Sequence, residues 1–283
     1  LDVGRLKNGE PFMVMEYLDG RDLDAELHAR GPLPPHVAVD YILQASEAIA
    51  EAHGLGMVHR DVKLKNLFLT KTVDGRPLVK VLDFGLAKTL GSQGDVSLTA
   101  TNAVFGSPQY MSPEQMRSAK DVDFRSDIWS IGVCLYELLT GRVPFDAQGV
   151  AEICAMVLKD PVPRPSQFAP DLPPDLEQVV LRCLEKDVTK RYPSVAELAF
   201  ALQRYAADAG SAHRILHVMQ SAQKVELPTI VNTPAVDAGP KTMNAWDSGL
   251  PGQPANQRFS RPTIAILAVF AARAIIGVSA ITL

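Results

Sequence analysis

Apolar residues recur along much of this chain at helix or strand spacing. Ala38, Ile42, Ala45, Ile49 and Ala52 fall at steps of four and three. They form one stripe of a helix that Gly54 is expected to end. Phe12–Leu18 (FMVMEYL) is the first strand-like run. Leu67–Leu69 and Leu78–Leu82 are two more, and Asp74-Gly75 between them predicts a hairpin. Asp127–Thr140 (DIWSIGVCLYELLT) is apolar on nearly every face. It is too short to cross a bilayer, so it reads as a helix at the centre of a core. Leu176, Val179, Val180, Cys183 and Leu184 mark another amphipathic helix. Ser194-Val-Ala-Glu197 has the form of a capping box opening a helix to about Tyr205. Residues 86–113 show no apolar period and are rich in Ser, Thr and Gly. So long a loop within a compact domain is usually functional.

The pattern changes beyond residue 220. Pro228, Pro234, Gly239, Pro240, Gly249, Pro251, Gly252 and Pro254 punctuate a polar stretch that reads as a flexible linker. Residues 263–283 then carry a single charge, Arg273. That length matches the roughly 20 residues that span a bilayer. Arg273 costs roughly 2.5–3.5 kcal/mol on insertion scales, which the surrounding Ile, Leu, Val and Phe offset. A helix packed against the globular part is the other reading, but the linker separates the two. Arg258 and Arg261 flank the run and favour a span whose preceding domain is cytoplasmic. The expected division is 1–205 for a globular domain, 206–261 for a juxtamembrane linker and 262–283 for a membrane helix.

Composition narrows the function classes. A net charge of −4 argues against nucleic acid as a partner. Cys134, Cys154 and Cys183 lie in apolar helical patterns and read as small buried hydrophobes rather than a disulfide framework. His213 and His217 are four apart, but no third ligand stands beside them, so a metal there is not expected. The opening LDVGRLKNGE has no apolar core of a secretory leader.

The sharpest chemistry lies in His59-Arg60-Asp61-Val62-Lys63-Leu64-Lys65-Asn66. An Asp and an Asn five positions apart, just before a hairpin, can converge on one site. The carboxylate can take a proton from a hydroxyl, and the amide oxygen can ligate a hard cation. Asp83-Phe84-Gly85 follows the second hairpin strand and can supply a second oxygen ligand. A base and two ligands for Mg2+ are what phosphoryl transfer from a nucleotide needs.

Taken in order, these segments resemble the eukaryotic-like protein kinases. HRDVKLKN resembles the catalytic loop and DFG the magnesium loop. Gly106–Glu114 (GSPQYMSPE) looks like the end of the activation segment, with Ser112-Pro113-Glu114 in place of Ala-Pro-Glu. Ser126–Gly132 (SDIWSIG) resembles the start of the large lobe's central helix. The resemblance covers roughly residues 12–205. It implies an α+β kinase-like fold, mainly the helical C-terminal lobe with its hinge strand.

It also implies roles. Asp61 would be the catalytic base, Lys63 would contact the γ-phosphate, and Asn66 and Asp83 would hold Mg2+ or Mn2+. Lys at position 63 is the pattern of kinases acting on serine and threonine. Met15 would be the gatekeeper, the backbone of Glu16 and Leu18 would bond the adenine of ATP, and Phe68 would floor its pocket. Arg60 would pair with a phosphate on Thr99 or Thr101, with Ser97 as a further candidate. Ser107 takes the place of the Thr that touches the catalytic Asp and Lys. Asp127 and the pair Glu114–Arg191 would be structural, and His59 a packed core histidine. Soluble domain, linker and span in that order resemble bacterial transmembrane Ser/Thr kinases, which phosphorylate one another as dimers.

The sequence departs from the family at two levels. Leu64 stands where the family usually has Pro. No G-x-G-x-x-G or V-A-I-K precedes the hinge, and Lys7 lies too close to Met15 to serve. The small lobe is therefore expected to be largely missing. Two explanations compete: a piece of a complete kinase, or a kinase-like scaffold that binds partners without catalysis. The retained Asp61, Lys63, Asn66 and Asp83 favour the first.

Overall fold

Prolines open the longest helix. Pro35 occupies its first position, where a missing N–H costs nothing, and the helix runs over Pro35–Gly54 (α2). A shorter helix, Leu23–Arg30 (α1), precedes it, capped by Asp22, whose carboxylate accepts from the Ala25 N–H (2.8 Å). The computed structural model describes residues 2–6, 8, 10–83, 107–118, 122–207, 214, 215 and 217. Phe84, Gly85, Thr99, Thr101 and the apolar run 263–283 lie outside them. The chain divides at Tyr17/Leu18 into two compact units.

In the first unit, Asp2–Arg5 (β1) pairs antiparallel with Pro11–Val14 (β2), Gly4 opposite Phe12. The expected strand from Phe12 is present but shorter. Its partner β1 carries too short and too polar a run to announce itself.

The second unit holds a three-stranded antiparallel sheet in the order Arg21–Asp22 (β3), Leu67–Lys71 (β4), Pro77–Val81 (β5). The predicted hairpin is β4–β5, with Leu67 opposite Val81 and Lys71 opposite Pro77. Thr72 and Arg76 close its turn through a backbone hydrogen bond of 2.9 Å.

Helices Pro113–Arg117 (α3), Phe124–Thr140 (α4), Val150–Lys159 (α5), Pro174–Cys183 (α6) and Val195–Leu202 (α7) complete the unit. α4 begins three residues before Asp127, because Asp123 caps it by accepting from the Arg125 N–H (2.8 Å). Ile128, Trp129, Val133, Cys134, Leu135, Tyr136 and Leu138 on α4 are fully buried. It packs on α2 and α6 at the middle of the core, as an all-apolar segment must. Gly132 permits the α4–α6 contact: a Cβ there would lie 2.5 Å from the Cβ of Cys183.

Two boundaries and one burial differ from expectation. Gly54 is the last helical residue of α2 rather than its stop. The left-handed residue of the turn is Gly56 (φ +76°), whose N–H donates to the His53 carbonyl. Cys154 is only half-buried, while Cys134 and Cys183 are buried. The packing also continues past Tyr205: the Ala207 N–H donates to Asp40 Oδ1 (3.0 Å) and Ile215 is fully buried in the core. Among the described residues no helix is long and apolar enough to cross a membrane.

Candidate active site

Residues 57–63 have no regular backbone to satisfy their polar groups, so the loop between α2 and β4 is held from outside. Asp127, fully buried on α4, does most of this. Its Oδ2 accepts from the His59 N–H (2.9 Å) and its Oδ1 from the Arg60 N–H (2.8 Å). His53 Nε2, at the end of α2, lies 2.8 Å from the same Oδ2. These bonds fix Arg60 in the left-handed region (φ +64°), a conformation that costs a non-glycine residue on the order of 1–2 kcal/mol.

His59 ties the loop to the end of β5. The Asp61 N–H points at His59 Nδ1 (3.3 Å), so Nδ1 is the acceptor and Nε2 carries the proton. Nε2 then donates to the Leu82 carbonyl (3.2 Å). Burial lowers the His59 pKa and keeps the ring neutral, which this arrangement requires.

The side chains of Asp61, Lys63 and Asn66 follow. Lys63 Nζ donates to Asp61 Oδ2 (2.9 Å), and Asn66 Nδ2 donates to the same oxygen (3.1 Å) and to the Asp61 carbonyl (2.8 Å). Asn66 sits at the end of a 3-10 turn, Leu64–Asn66, and is buried. Leu64, where the family usually has Pro, is fully buried beneath that turn. With its amide nitrogen on Asp61, Asn66 keeps Oδ1 free of hydrogen bonds among the described residues. The Leu82 N–H donates to the Asn66 carbonyl (2.8 Å). Asp83 follows directly, exposed and in a left-handed conformation (φ +52°). Lys63 and Asn66 thus both bond Asp61, and the Leu82–Asn66 backbone bond brings the residue before Asp83 against the loop.

This donor set fits a divalent cation that arrives with phosphate. Among the described residues no three His, Cys, Asp or Glu cluster into a metal cage. A carboxylate and a carboxamide oxygen leave most of an octahedral shell to phosphate oxygens and water, which is how Mg2+ is bound beside nucleotides.

Farther out, Arg191 and Glu114 form a bidentate pair, Nη1–Oε1 2.6 Å and Nη2–Oε2 2.8 Å. Arg191 also donates to the carbonyls of Glu185 (2.7 Å) and Arg125 (3.1 Å), and its guanidinium lies over the Trp129 ring. Burial alone would raise the Glu114 pKa, but Arg191 and the Ser126 hydroxyl outweigh it and bring it down to about 2. Ser107 precedes the 3-10 turn Pro108–Tyr110 and accepts from the Tyr110 N–H through its carbonyl. Phe68 on β4 is half-buried. Met15 and Glu16 belong to the first unit and Leu18 to the second.

Sequence reading missed several residues that shape the site. Gln115 donates from Nε2 to the Arg60 carbonyl (3.1 Å) while its Oε1 accepts from the Ser112 N–H (3.0 Å). The Ser112-x-x-Gln115 capping box was visible in the sequence and would have located α3. Tyr110 donates to Glu137 Oε2 (2.5 Å), and burial raises the Glu137 pKa to about 7. His53 lies 74 residues from Asp127, and nothing local links the two.

A helical unit fronted by a small antiparallel sheet, with an Asp–Lys–Asn loop against its last strand, has the architecture of a kinase large lobe. The protein kinase domain family matches residues 6–201, and the chain belongs to it. It is 40% identical over 235 residues to the serine/threonine-protein kinase PknB of Mycolicibacterium smegmatis, covering 83% of this chain and 36% of that protein. PknB of Mycobacterium leprae is 41% identical over 195 residues, 69% of this chain and 30% of the relative. The serine/threonine-protein kinase pkn3 of Myxococcus xanthus is 38% identical over 211 residues, 74% and 38% of the two chains. The chain spans about a third of the length of these curated relatives.

Proposed function

We propose that this protein transfers the terminal phosphoryl group of ATP to serine and threonine hydroxyls of other proteins. The observation that carries the reading is the convergence of Lys63 and Asn66 on Asp61, with Leu82, the residue before Asp83, bonded to Asn66. In this reading Asp61 orients the acceptor hydroxyl and takes its proton as the bond to phosphorus forms. Lys63, already on Asp61, places a positive charge where the terminal phosphate approaches the acceptor. Asn66 Oδ1 and the Asp83 carboxylate hold the divalent cation. Bound Mg2+ or Mn2+ supplies neutralisation of the phosphate charge. The family resemblance assigns adenine to the backbone of Glu16 and Leu18, the gatekeeper's place to Met15 and a lining role to Phe68. Arg60 answers a phosphate on Thr99 or Thr101, and Ser107 steadies the Asp61–Lys63 pair. Asp127, with the Glu114–Arg191 pair, maintains the frame. Names of relatives that say serine/threonine kinase, and Lys at position 63, support the acceptor class.

Transfer of labelled phosphate from ATP to a serine- and threonine-bearing acceptor protein tests this. Label should require Mg2+ or Mn2+ and fall at least about 100-fold in Asp61→Asn, the usual worth of a positioned base. Label transfer that is indifferent to Asp61→Asn overturns the reading. These residues carry no glycine-rich loop and no strand lysine, so turnover by them alone is expected to be slow.

The apolar run 263–283 anchors the protein to a membrane with residues 1–205 on the cytoplasmic side; Arg258 and Arg261 support that orientation. The protein should then pellet with membranes and dissolve only in detergent, and recovery in the soluble fraction without detergent contradicts the anchor.

A further inference from the structure

Gln115 on α3 touches two backbone groups whose roles are fixed. Its Oε1 accepts from the Ser112 N–H (3.0 Å), and its Nε2 donates to the Arg60 carbonyl (3.1 Å). An N–H can only donate and a carbonyl can only accept, so the side-chain amide stands one way round. The first bond belongs to α3 itself: with the Gln115 N–H on Ser112 Oγ it closes the capping box. The second leaves the helix and reaches 55 residues back along the chain. α3 is in turn seated on α4. The Ser112 and Ser126 hydroxyls lie 3.2 Å apart, Ser126 Oγ donates to Glu114 Oε1 (2.7 Å), and Arg191 holds Glu114.

Two side chains hold Arg60 from its two ends. Asp127 Oδ1 takes its N–H and Gln115 its carbonyl. The peptide joining Arg60 to Asp61 is likewise held at both ends, since the Asp61 N–H points at His59 Nδ1. Arg60 is left-handed (φ +64°), a strained state that persists only while its surroundings hold it. With the carbonyl released, ψ of Arg60 is freer. Any change in it redirects the chain at Asp61, and with it the carboxylate that Lys63 and Asn66 meet. We infer that Gln115 is a positioning residue: it sets where the Asp61 carboxylate lies and makes that place depend on the seating of α3. By the family resemblance α3 closes the activation segment, so one hydrogen bond reports the seating of that segment to the base. That Asp61 is a base rests on the proposed activity; the hold on the loop does not.

Gln115→Glu and Gln115→Met separate the two bonds. Glu fills that place of a capping box as well as Gln does, but it has no N–H for the Arg60 carbonyl, and Met has neither group. In label transfer, kcat should fall about tenfold in both variants, with KM for Mg-ATP within about twofold of the parent. Hydrogen exchange over residues 57–63 of the full chain, read by peptide mapping, should quicken about tenfold in both, with α6 unchanged. A helix cap alone predicts loss in Met and parent behaviour in Glu. An added charge alone predicts the reverse. Either pattern overturns the inference, as does loop exchange that is unmoved in either variant or that rises together with α6. A parent protein without label transfer defeats the proposed function instead, and loop exchange then decides the inference by itself: quickened in both variants, the inference stands.

Discussion

Asp127 uses both carboxylate oxygens on other parts of the chain, and neither faces solvent. Replacing it with Asn supplies one acceptor oxygen instead of two and leaves a buried amide N–H of the loop unpaired. Asp127→Asn should cost about 1–3 kcal/mol in urea unfolding, and an unchanged midpoint contradicts the geometry. Arg191 makes a second test. Its side chain is wholly buried, so Arg191→Ala strands Glu114 and should cost about 3–5 kcal/mol. Arg191→Lys should rescue little of this, since an ammonium cannot match the fork. pH acts on two carboxyls with opposite sign. Glu114 falls from its ordinary 4.5 to about 2, so its stabilisation is full above 4.5 and is lost as pH drops toward 2. Glu137 rises from 4.5 to about 7, because burial disfavours its charge, so stability declines as pH climbs from 4.5 to 7. Unfolding midpoints across that window should show the decline, and Glu137→Gln should flatten it.

Among elements, the contact of α4 with α6 is the most exacting. Gly132→Ala would set a methyl group 2.5 Å from the Cys183 Cβ, so the helices must part. A loss of about 1–3 kcal/mol by thermal or urea unfolding is expected; neutral behaviour would mean the helices are farther apart than described. The helices whose apolar stripes are long, α2, α4 and α6, were legible in the sequence, as was the β4–β5 hairpin. α5 was not, because Gly149 at its start offers no side-chain cap, and only Ile153 and Val157 of its ten residues are buried. β1 is a strand because β2 pairs with it, a cause that four residues cannot announce. α3 had a signal in its capping box that apolar periodicity cannot register.

On the scale of the molecule, the clustering of Asp61, Lys63 and Asn66 was readable because it is local: they span six positions. Of its supports, Asp127 was legible through the resemblance, and it does hold the loop's backbone; His53 and Gln115 were not, because they reach the loop from distant parts of the chain. The same division separates chemistry from control. In the proposed reading the loop carries the donors for phosphate and cation, while helices fixed by buried polar contacts set where that loop lies. The most direct test is the Mg2+ dependence of nucleotide binding, followed by titration of ATP with and without Mg2+. Mg2+ should tighten binding in the parent protein, and the gain should vanish in Asp83→Ala and in Asn66→Ala. The same gain in both variants would mean that these two side chains do not hold the cation, and the account of the site would be wrong.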